Sequence, residues 1–440
     1  MKRLRHAAAF LGVLALVAAC AGSSDASGTV RFLVFGDPPE LRAYRNLIAA
    51  FKREEPDIRV QLIEASDRED LLSRLATSFA GGKPPDLFLI NYRFYGQFAS
   101  RGVLEPLEER AEESDELDLD GFYRKALDAF RWNGELTCLP QNISSLVVYY
   151  NRNLFRRYNV PEPDRDWRWH EFLAAAQQLT RDKYGVQVRG QDPDQPQAAS
   201  APAAVYGVGV EPTIVRIAPF VWSIGGELVD NEERPTRFAL DSFTSTLALA
   251  HFFSLRTVYG VAPSDTEVEA EDDESRFANG RLAMLLSSRR STPTFRESAA
   301  FDWDIAPLPM FRRPAGVLHS DAYCMTKASN RKDAAWRFVE FALGKRGQEI
   351  VARSGRTVPS LRTVAESRAF LDPNQKPRNS RVFLDAIPSI RRLPTVSTWP
   401  EIEDVSEGIL ENGMYLGTPV AVVVKQLDRA TRPIFARAER

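Results

Sequence analysis

Residues 30–51 read VRFLVFGDPPELRAYRNLIAAF, and this stretch decides the fold class. Its first part, residues 30–35, is an apolar run of strand length that is rich in β-forming side chains. Asp37, Pro38 and Glu40 then form the capping pattern of a helix start, with proline in the first helical position. Apolar residues at helical spacing follow, so the stretch predicts a buried strand that leads directly into an amphipathic helix.

The alternation of a strand with a helix continues along the chain. Residues 58–65 and 86–90 are two further strand-like runs, and residues 71–79 between them carry large apolar side chains at helical spacing. This β-α-β-α-β order predicts an α/β protein with a parallel sheet that helices cover on both faces. Ligands of such sheets bind beyond the carboxyl ends of the strands. We therefore expect residues 36–40 and 91–95 to lie at the ligand edge.

Residues 1–19 differ from the rest of the chain. They combine a basic start with a short apolar run, which is typical of a secretion signal and too short for a permanent transmembrane helix. The run ends in LVAAC at Cys20 and resembles the bacterial lipobox, which implies cleavage before Cys20 and lipidation of its thiol. Residues 20–28 would then be a lipid-anchored tether, and the protein would be extracytoplasmic and held at the cell membrane. A plain signal peptide with an incidental cysteine is the alternative.

Charge and motif content argue against several function classes. Loss of residues 1–19 removes three basic residues and takes the formal net charge from −2 to −5, which argues against a nucleic-acid partner. The sequence has no G-x-x-x-x-G-K-[ST] loop and no G-x-S-x-G elbow, and His170 lacks the second histidine of a zinc helix. We therefore expect no cofactor, no metal site and no enzyme activity. Composition alone leaves a glycosidase-type pair of acidic residues open.

A series of short motifs carries a family resemblance across nearly the whole chain after residue 20. The strongest are AAFKREEPDIRV at 49–60, FAGGKPPDLFLINYRFYGQFASRGVLEPLEE at 79–109, NGELTCLPQNISSLVVYYNRNLF at 133–155, DWRWHEFLAAAQQLT at 166–180, FVWSIGGELVD at 220–230, FANGRLAMLL at 277–286 and SDAYCMTKASNRKDAAWRFVEFAL at 320–343. In this order they resemble the extracellular solute-binding proteins of sugar ABC importers, the group that contains maltose-binding protein.

The resemblance implies a two-lobed periplasmic-binding-protein type II fold with three interlobe crossings and a ligand cleft. The implied boundaries are 29–142 plus 322–388 for lobe 1 and 146–318 plus 395–438 for lobe 2, with crossings near 141–145, 319–323 and 388–395. It also implies a monomer that closes on a small polar ligand, most simply a sugar, and delivers it to two transmembrane permease subunits driven by an ATPase.

Two cysteines remain after residue 20. The resemblance places Cys138 on the strand that enters the first crossing and Cys324 on the strand that leaves the second, and these strands are neighbours in the family fold. A disulfide between them and a pair of buried free thiols are both compatible with the sequence.

The candidate ligand residues follow strand ends or fall where the family places its contacts. They are Asp37, Glu40, Asn91, Tyr92, Arg93, Asn142, Trp222, Arg289, Arg290, Ser320, Asp321, Tyr323, Arg356 and Trp399. Several have a structural alternative: Asp37 is a helix cap, Trp222 is part of a core, and Arg289 with Arg290 is a salt-bridged surface pair.

Two ligand classes compete within this interpretation. A neutral mono- or oligosaccharide would use Trp222, Trp399 and Tyr92 for stacking and Asp321 for hydroxyl groups. A phosphorylated polyol, such as glycerol-3-phosphate or a glycerophosphodiester, would use the three arginines Arg289, Arg290 and Arg356. Outside the transport class, the alternatives are a secreted carbohydrate-active hydrolase and a surface glycan-binding lipoprotein without a permease.

Overall fold

The fold is built on two separate main sheets. A computed structural model describes residues 28–188 and 203–438, so the predicted signal peptide and the lipidation site Cys20 lie outside the described residues. The strands are β1 (Gly28–Phe35), β2 (Ile58–Ala65), β3 (Leu87–Asn91), β4 (Arg131–Trp132), β5 (Glu135–Leu136), β6 (Cys138–Pro140), β7 (Val147–Asn151), β8 (Tyr206–Gly209), β9 (Leu282–Ser287), β10 (Trp303–Ala306), β11 (Gly316–Val317), β12 (Asp321–Met325) and β13 (Ile390–Arg391).

Helices surround both sheets. They are α1 (Pro38–Glu54), α2 (Arg68–Ala80), α3 (Tyr92–Ala99), α4 (Glu108–Glu112), α5 (Arg124–Asp128), α6 (Arg152–Arg157), α7 (Trp169–Leu179), α8 (Ile214–Ile224), α9 (Phe243–Thr257), α10 (Asp265–Ala270), α11 (Asp273–Ala278), α12 (Thr292–Ser298), α13 (Lys332–Leu343), α14 (Lys345–Arg353), α15 (Arg362–Ala365), α16 (Arg381–Ala386), α17 (Trp399–Tyr415) and α18 (Val420–Ala436). Within the described ranges, no helix is both long and apolar enough to cross a membrane.

The first sheet confirms the β-α-β-α-β prediction. Its strand order is β2-β1-β3-β12-β6, with β1 parallel to both β2 and β3. Val30, Phe32 and Val34 are fully buried, and Leu33 on the opposite face is nearly so, because helices cover both faces of the parallel strands. The late strand β12 enters antiparallel between β3 and β6, so this lobe is assembled from separated pieces of the chain.

The second sheet has the order β10-β7-β9-β8, in which β8 and β9 are parallel. Tyr149 and Trp303 are buried on its face. Tyr149 meets Phe277 and Phe295 edge to face, and Trp303 meets Phe295 in the same way. Aromatic rings in such arrangements bury large apolar areas and fix the helices α11 and α12 on the sheet.

The chain passes between the two lobes along three adjacent segments. The Ser144 N–H donates to the carbonyl of His319 at 2.8 Å, and the His319 N–H donates back to Ser144 at 2.9 Å. Strand β11 pairs in parallel with β13, and the Leu318 N–H donates to the carbonyl of Arg391 at 2.8 Å. These bonds join the first, second and third crossings side by side, which agrees with the expected two-lobed architecture.

Of the two alternatives for the cysteines, the structure has the disulfide. Cys138 and Cys324 lie directly opposite each other in the antiparallel β6–β12 pair, with 4.5 Å between their Cα atoms. Both residues are fully buried. The disulfide therefore joins the strands that carry the first and second crossings, across 186 residues of sequence.

Replacement of Cys138 and Cys324 by serine should lower the free energy of unfolding by roughly 2–4 kcal/mol, since the cross-link restricts a long loop of the unfolded chain. Urea titration of the double variant and of the oxidised wild type measures the difference. When a reducing agent reaches the unfolded chain, the free energy of unfolding of the wild type should approach that of the double variant. Equal stability of oxidised wild type and the double variant would contradict the proposed contribution.

Candidate ligand cleft

A carboxylate held by two amides lies where the first lobe meets the crossings. Asp321 begins β12 and pairs in register with Asn91 at the end of β3, so the strand ends bring the two side chains together. Asn91 Nδ2 donates to Asp321 Oδ1 at 3.0 Å, and Asn142 Nδ2 donates to Asp321 Oδ2 at 3.2 Å. The Ser320 hydroxyl donates to the Asn142 carbonyl at 2.6 Å and holds this segment in place. Because each carboxylate oxygen can accept more than one bond, half-buried Asp321 can also accept ligand hydroxyl groups.

The helix start predicted at Asp37 is confirmed, but its capping bond is not formed. Asp37 precedes α1 in extended conformation and makes no side-chain cap. Glu40 instead pairs with Arg356, with 2.8 Å from Nη2 to Oε2, and accepts from the Tyr44 hydroxyl at 3.0 Å. Burial raises the pKa of Glu40, and Arg356 opposes this change. A Cβ atom on Gly36 would lie 2.6 Å from Glu40 Oε2, so the fold-back of Glu40 requires glycine there.

A chain of hydrogen bonds continues from this ion pair into the core. Gln141 Nε2 donates to the Tyr44 hydroxyl at 3.1 Å, and the Tyr323 hydroxyl donates to Gln141 Oε1 at 2.9 Å. Tyr323 is fully buried, and its ring centroid lies 5.6 Å from that of Phe32. The structure therefore places Tyr323 beneath the candidate site, where it supports Gln141 in the first crossing.

The two lobes contact each other through α3 and α17. Arg93 Nη1 lies 2.6 Å from Glu403 Oε2, and the Trp399 indole N–H donates to Glu403 Oε1 at 2.7 Å. Trp399 is fully buried, and the buried Tyr92 hydroxyl accepts from the Leu393 N–H at 3.1 Å. Two of the rings expected to stack on a ligand thus pack within the protein in this conformation. Sequence reasoning missed Glu403, although its position one helical turn after Trp399 was a usable signal.

Trp222 lies apart from these residues, in the second lobe. It is buried in α8, and the Arg391 guanidinium lies 4.7 Å from the centroid of its ring. This cation–π contact covers the indole face that a sugar would need.

The adjacent arginines Arg289 and Arg290 have different environments. Arg289 is buried and donates to the Gly355 carbonyl at 2.7 Å and to Ser380 Oγ at 3.1 Å. Arg290 is partly exposed and pairs with Glu274 at 3.1 Å. Arg289 therefore joins the end of β9 to the segment after α14, while Arg290 remains at the surface of the cleft.

Two further residues that sequence reasoning missed lie on the second-lobe side. Arg216 is nearly buried at the start of α8 and pairs with Glu211 at 3.1 Å. His319 lies in the second crossing, and its pKa is held well below the usual value by burial and by the positive charges of Arg216, Arg93 and Arg290. The available signals were an arginine within an otherwise apolar helix and a histidine at a predicted crossing.

A groove of about 310 Å³ lies between the lobes beside α1, α12 and α14. Pro39 and Arg42 line it from the first lobe and Glu297 from the second, and Arg42 pairs with Glu297 at 2.7 Å. The volume is sufficient for a small ligand. None of the predicted ligand residues lines this groove, so we place the candidate site at Asp321 rather than here.

The structure therefore divides the predicted residues into groups. It brings together Asn91, Asn142, Ser320 and Asp321 at the crossings, Asp37, Glu40 and Arg356 at the start of α1, and Arg93 and Trp399 around Glu403. Burial encloses Tyr92, Tyr323, Trp222 and Arg289 within the protein.

Comparison with known proteins agrees with this architecture. The family described as "Bacterial extracellular solute-binding protein" matches residues 36–349, which is more than half of the chain. The chain belongs to this family. Membership places this solute-binding protein outside the cytoplasm.

Relatives and solved structures of the family extend the match. The maltotriose-binding protein of Pyrococcus abyssi is 24% identical over 314 residues, covering 69% of this chain and 60% of its own. The ABC substrate-binding protein of Listeria monocytogenes in complex with cycloalternan has a TM-score of 0.82 at 24% identity and covers 93% of this chain and 99% of its own. Mycobacterium tuberculosis UgpB in complex with glycerophosphocholine has a TM-score of 0.79 at 22% identity, with the same coverage of 93% and 99%. These structures share the fold of this solute-binding protein.

Replacement of Glu40 by alanine should cost roughly 3–5 kcal/mol of unfolding free energy, because it leaves the largely buried Arg356 guanidinium with only its longer contact to Asp37. Asp37→Ala is the matched control: Asp37 lies 3.7 Å from the same guanidinium but is 41% exposed, so about 1 kcal/mol or less is expected. Chemical denaturation measures both variants. Equal losses would show that the buried pair has no special role in the fold.

Proposed function

We propose that this solute-binding protein is the receptor of an ABC importer and that it binds a carbohydrate between its lobes. The observation that carries the proposal is the Asp321 carboxylate, which two neutral amides hold at the point where the chain crosses between lobes. Neutral amide partners leave the charge of Asp321 available for ligand hydroxyl groups, and charge-assisted bonds of this kind are strong.

Delivery to a permease and absence of catalysis are part of the same proposal. Two of the similar proteins named above are described as binding proteins. One is described as binding maltotriose and two are in complex with cycloalternan or glycerophosphocholine. A mechanism of cleft binding, lobe closure and release to two transmembrane subunits needs only the hinge formed by the three adjacent crossings.

The protein partners of the candidate arginines bear on the choice between the two ligand classes. The three arginines expected to hold a phosphorylated polyol all have protein partners: Arg289 bonds to Gly355 and Ser380, and Arg290 and Arg356 pair with glutamates. This arrangement favours recognition of hydroxyl groups near Asp321 over a phosphate at those three arginines.

Asp321→Asn should weaken carbohydrate binding by about 10- to 100-fold, as expected for loss of charge-assisted bonds. Calorimetric titration with monosaccharides, maltodextrins and the ligand released from the purified protein, identified by mass spectrometry, measures the effect. Asp57→Asn, an exposed aspartate on a turn of the first lobe, is the control. Failure of every carbohydrate to bind wild type would contradict the carbohydrate assignment.

We also propose that Cys20 carries a lipid that holds the protein at the extracytoplasmic side of the membrane. Its support is the LVAAC sequence and the apolar run before it. Cys20→Ser should move the protein from the membrane fraction to the soluble extracytoplasmic fraction and abolish incorporation of labelled fatty acid. Continued fatty-acid labelling of the variant would refute lipidation at this residue. Cys138 and Cys324 in the disulfide serve as the internal control.

A further inference from the structure

The start of α8 presents a set of donors that the carbohydrate proposal does not use. Thr213 precedes the helix in extended conformation and gives it no side-chain cap. The first backbone N–H groups of a helix have no partner within the helix, and the helix dipole makes this end favourable for an anion. With 11 residues, α8 is long enough for this effect.

Arg216 supplies the second, independent feature at this place. It lies in the first turn of α8, is only 8% exposed, and its Nε has no hydrogen-bond partner. Its Nη2 bonds to Glu211, whose side chain is 57% exposed. Because Glu211 is in contact with solvent, water can replace the bond that Glu211 loses when a ligand anion takes its place at Arg216.

The surroundings of Arg216 are electrically positive. Burial lowers the pKa of Arg216, and the positive charges of Arg290 and Arg93 add to this effect, while Glu211 opposes it. The same three arginines act on His319 in the second crossing, where the imidazole has only a long 3.4 Å contact with the Val317 carbonyl. The partly buried imidazole, when neutral, can donate one N–H to a ligand.

On the first-lobe side of the site, three carboxylates act on Arg356. Burial by itself would lower the pKa of Arg356, but Glu40, Asp37 and Asp321 act on it more strongly and raise the pKa above its usual value. Asp321 accepts hydrogen bonds and cannot donate them when ionised. The site thus has the Asp321 carboxylate, which can accept from hydroxyl groups, toward the first lobe, and the donors of Arg216 and His319 at the start of α8 and in the second crossing.

We propose that the ligand is a carbohydrate or polyol that bears one anionic group, which binds at the start of α8 against Arg216 and His319 while its hydroxyl groups bind Asp321. The proposal rests on the carbohydrate receptor function proposed above. It replaces Arg289, Arg290 and Arg356 by Arg216 as the anion contact. A carboxylate and a phosphate share the required chemistry.

Calorimetry with matched pairs tests this assignment on the full-length protein. The pairs are galactose with galacturonate, glucose with glucose 6-phosphate, and glycerol with glycerol 3-phosphate, so that carboxylate and phosphate are separate arms. At least one acid should bind more tightly than its neutral counterpart, by a factor of about 10 or more. Arg216→Gln should weaken the binding of that acid by about 10- to 100-fold, which corresponds to the loss of a hydrogen bond to a charged group. It should change the affinity for the neutral counterpart by less than about 3-fold.

Two further variants sharpen the test. Glu211→Gln removes the competing carboxylate and should tighten acid binding by about 3-fold or more. Arg124→Gln, at an arginine of α5 that is 91% exposed, should leave both members of each pair unchanged. Circular dichroism shows whether each variant folds, and Arg216→Lys should partly restore acid binding if Arg216→Gln is folded.

The outcomes separate the two proposals. If neutral sugars bind as tightly as their acids, or if Arg216→Gln weakens both equally, the anion assignment is wrong and the carbohydrate receptor function stands. If no member of any pair binds and the co-purified ligand is neither a carbohydrate nor a polyol, both proposals fail.

Discussion

The insertion of β12 between β3 and β6 is the constraint on which the rest of the structure depends. Strand β12 comes from residues far along the chain, yet it forms one antiparallel ladder with each neighbour. The register of this strand places Asp321 opposite Asn91 and Cys324 opposite Cys138. A slip of one residue would turn every side chain of β12 to the other face of the sheet. The two amide bonds to Asp321, the disulfide and the burial of Tyr323 would then be lost together.

Burial explains why the charged residues around the cleft have different roles. A guanidinium that leaves water needs a close partner, and Arg356, whose side chain is 15% exposed, finds it in the buried Glu40. That pair is too costly to break to serve a ligand. Arg216 is also buried, but its partner Glu211 is in contact with solvent, so Glu211 stays hydrated when another anion replaces it. On the proposal above, the same residue type is structural in one lobe and serves recognition in the other.

Local patterns in the sequence were enough to predict the strands β1, β2 and β3 and the helices α1 and α2 of the first lobe. The strand at 30–35 and the helix after Asp37 follow from residues close together in sequence. The choice of side-chain partners does not. Glu40 was predicted from the same local signal as the helix start, yet its partner Arg356 is 316 residues away.

The family resemblance carried the prediction further but had a similar limit. It identified the crossings and the neighbouring cysteine strands, because these depend on topology. It could not show that Trp399 is buried against Phe238 and Phe435, or that Arg391 covers Trp222. For Glu403, Arg216 and His319, local signals marked unusual positions, but their partners are known only from the folded chain.

The contact between the lobes bears directly on how the cleft opens. On the first-lobe side, α3 packs so closely on the third crossing that a Cβ atom on Gly96 would lie 3.1 Å from the carbonyl oxygens of Thr395 and Val396. Rotation about the crossings would therefore leave α3 in place and carry α17 away with the second lobe. Such a rotation would separate Arg93 from Glu403, while Glu403 would keep its bond to Trp399 within α17. Opening thus exposes one guanidinium and one carboxylate oxygen on facing walls, and a ligand that bonds to both would restore the lost interaction as the lobes close.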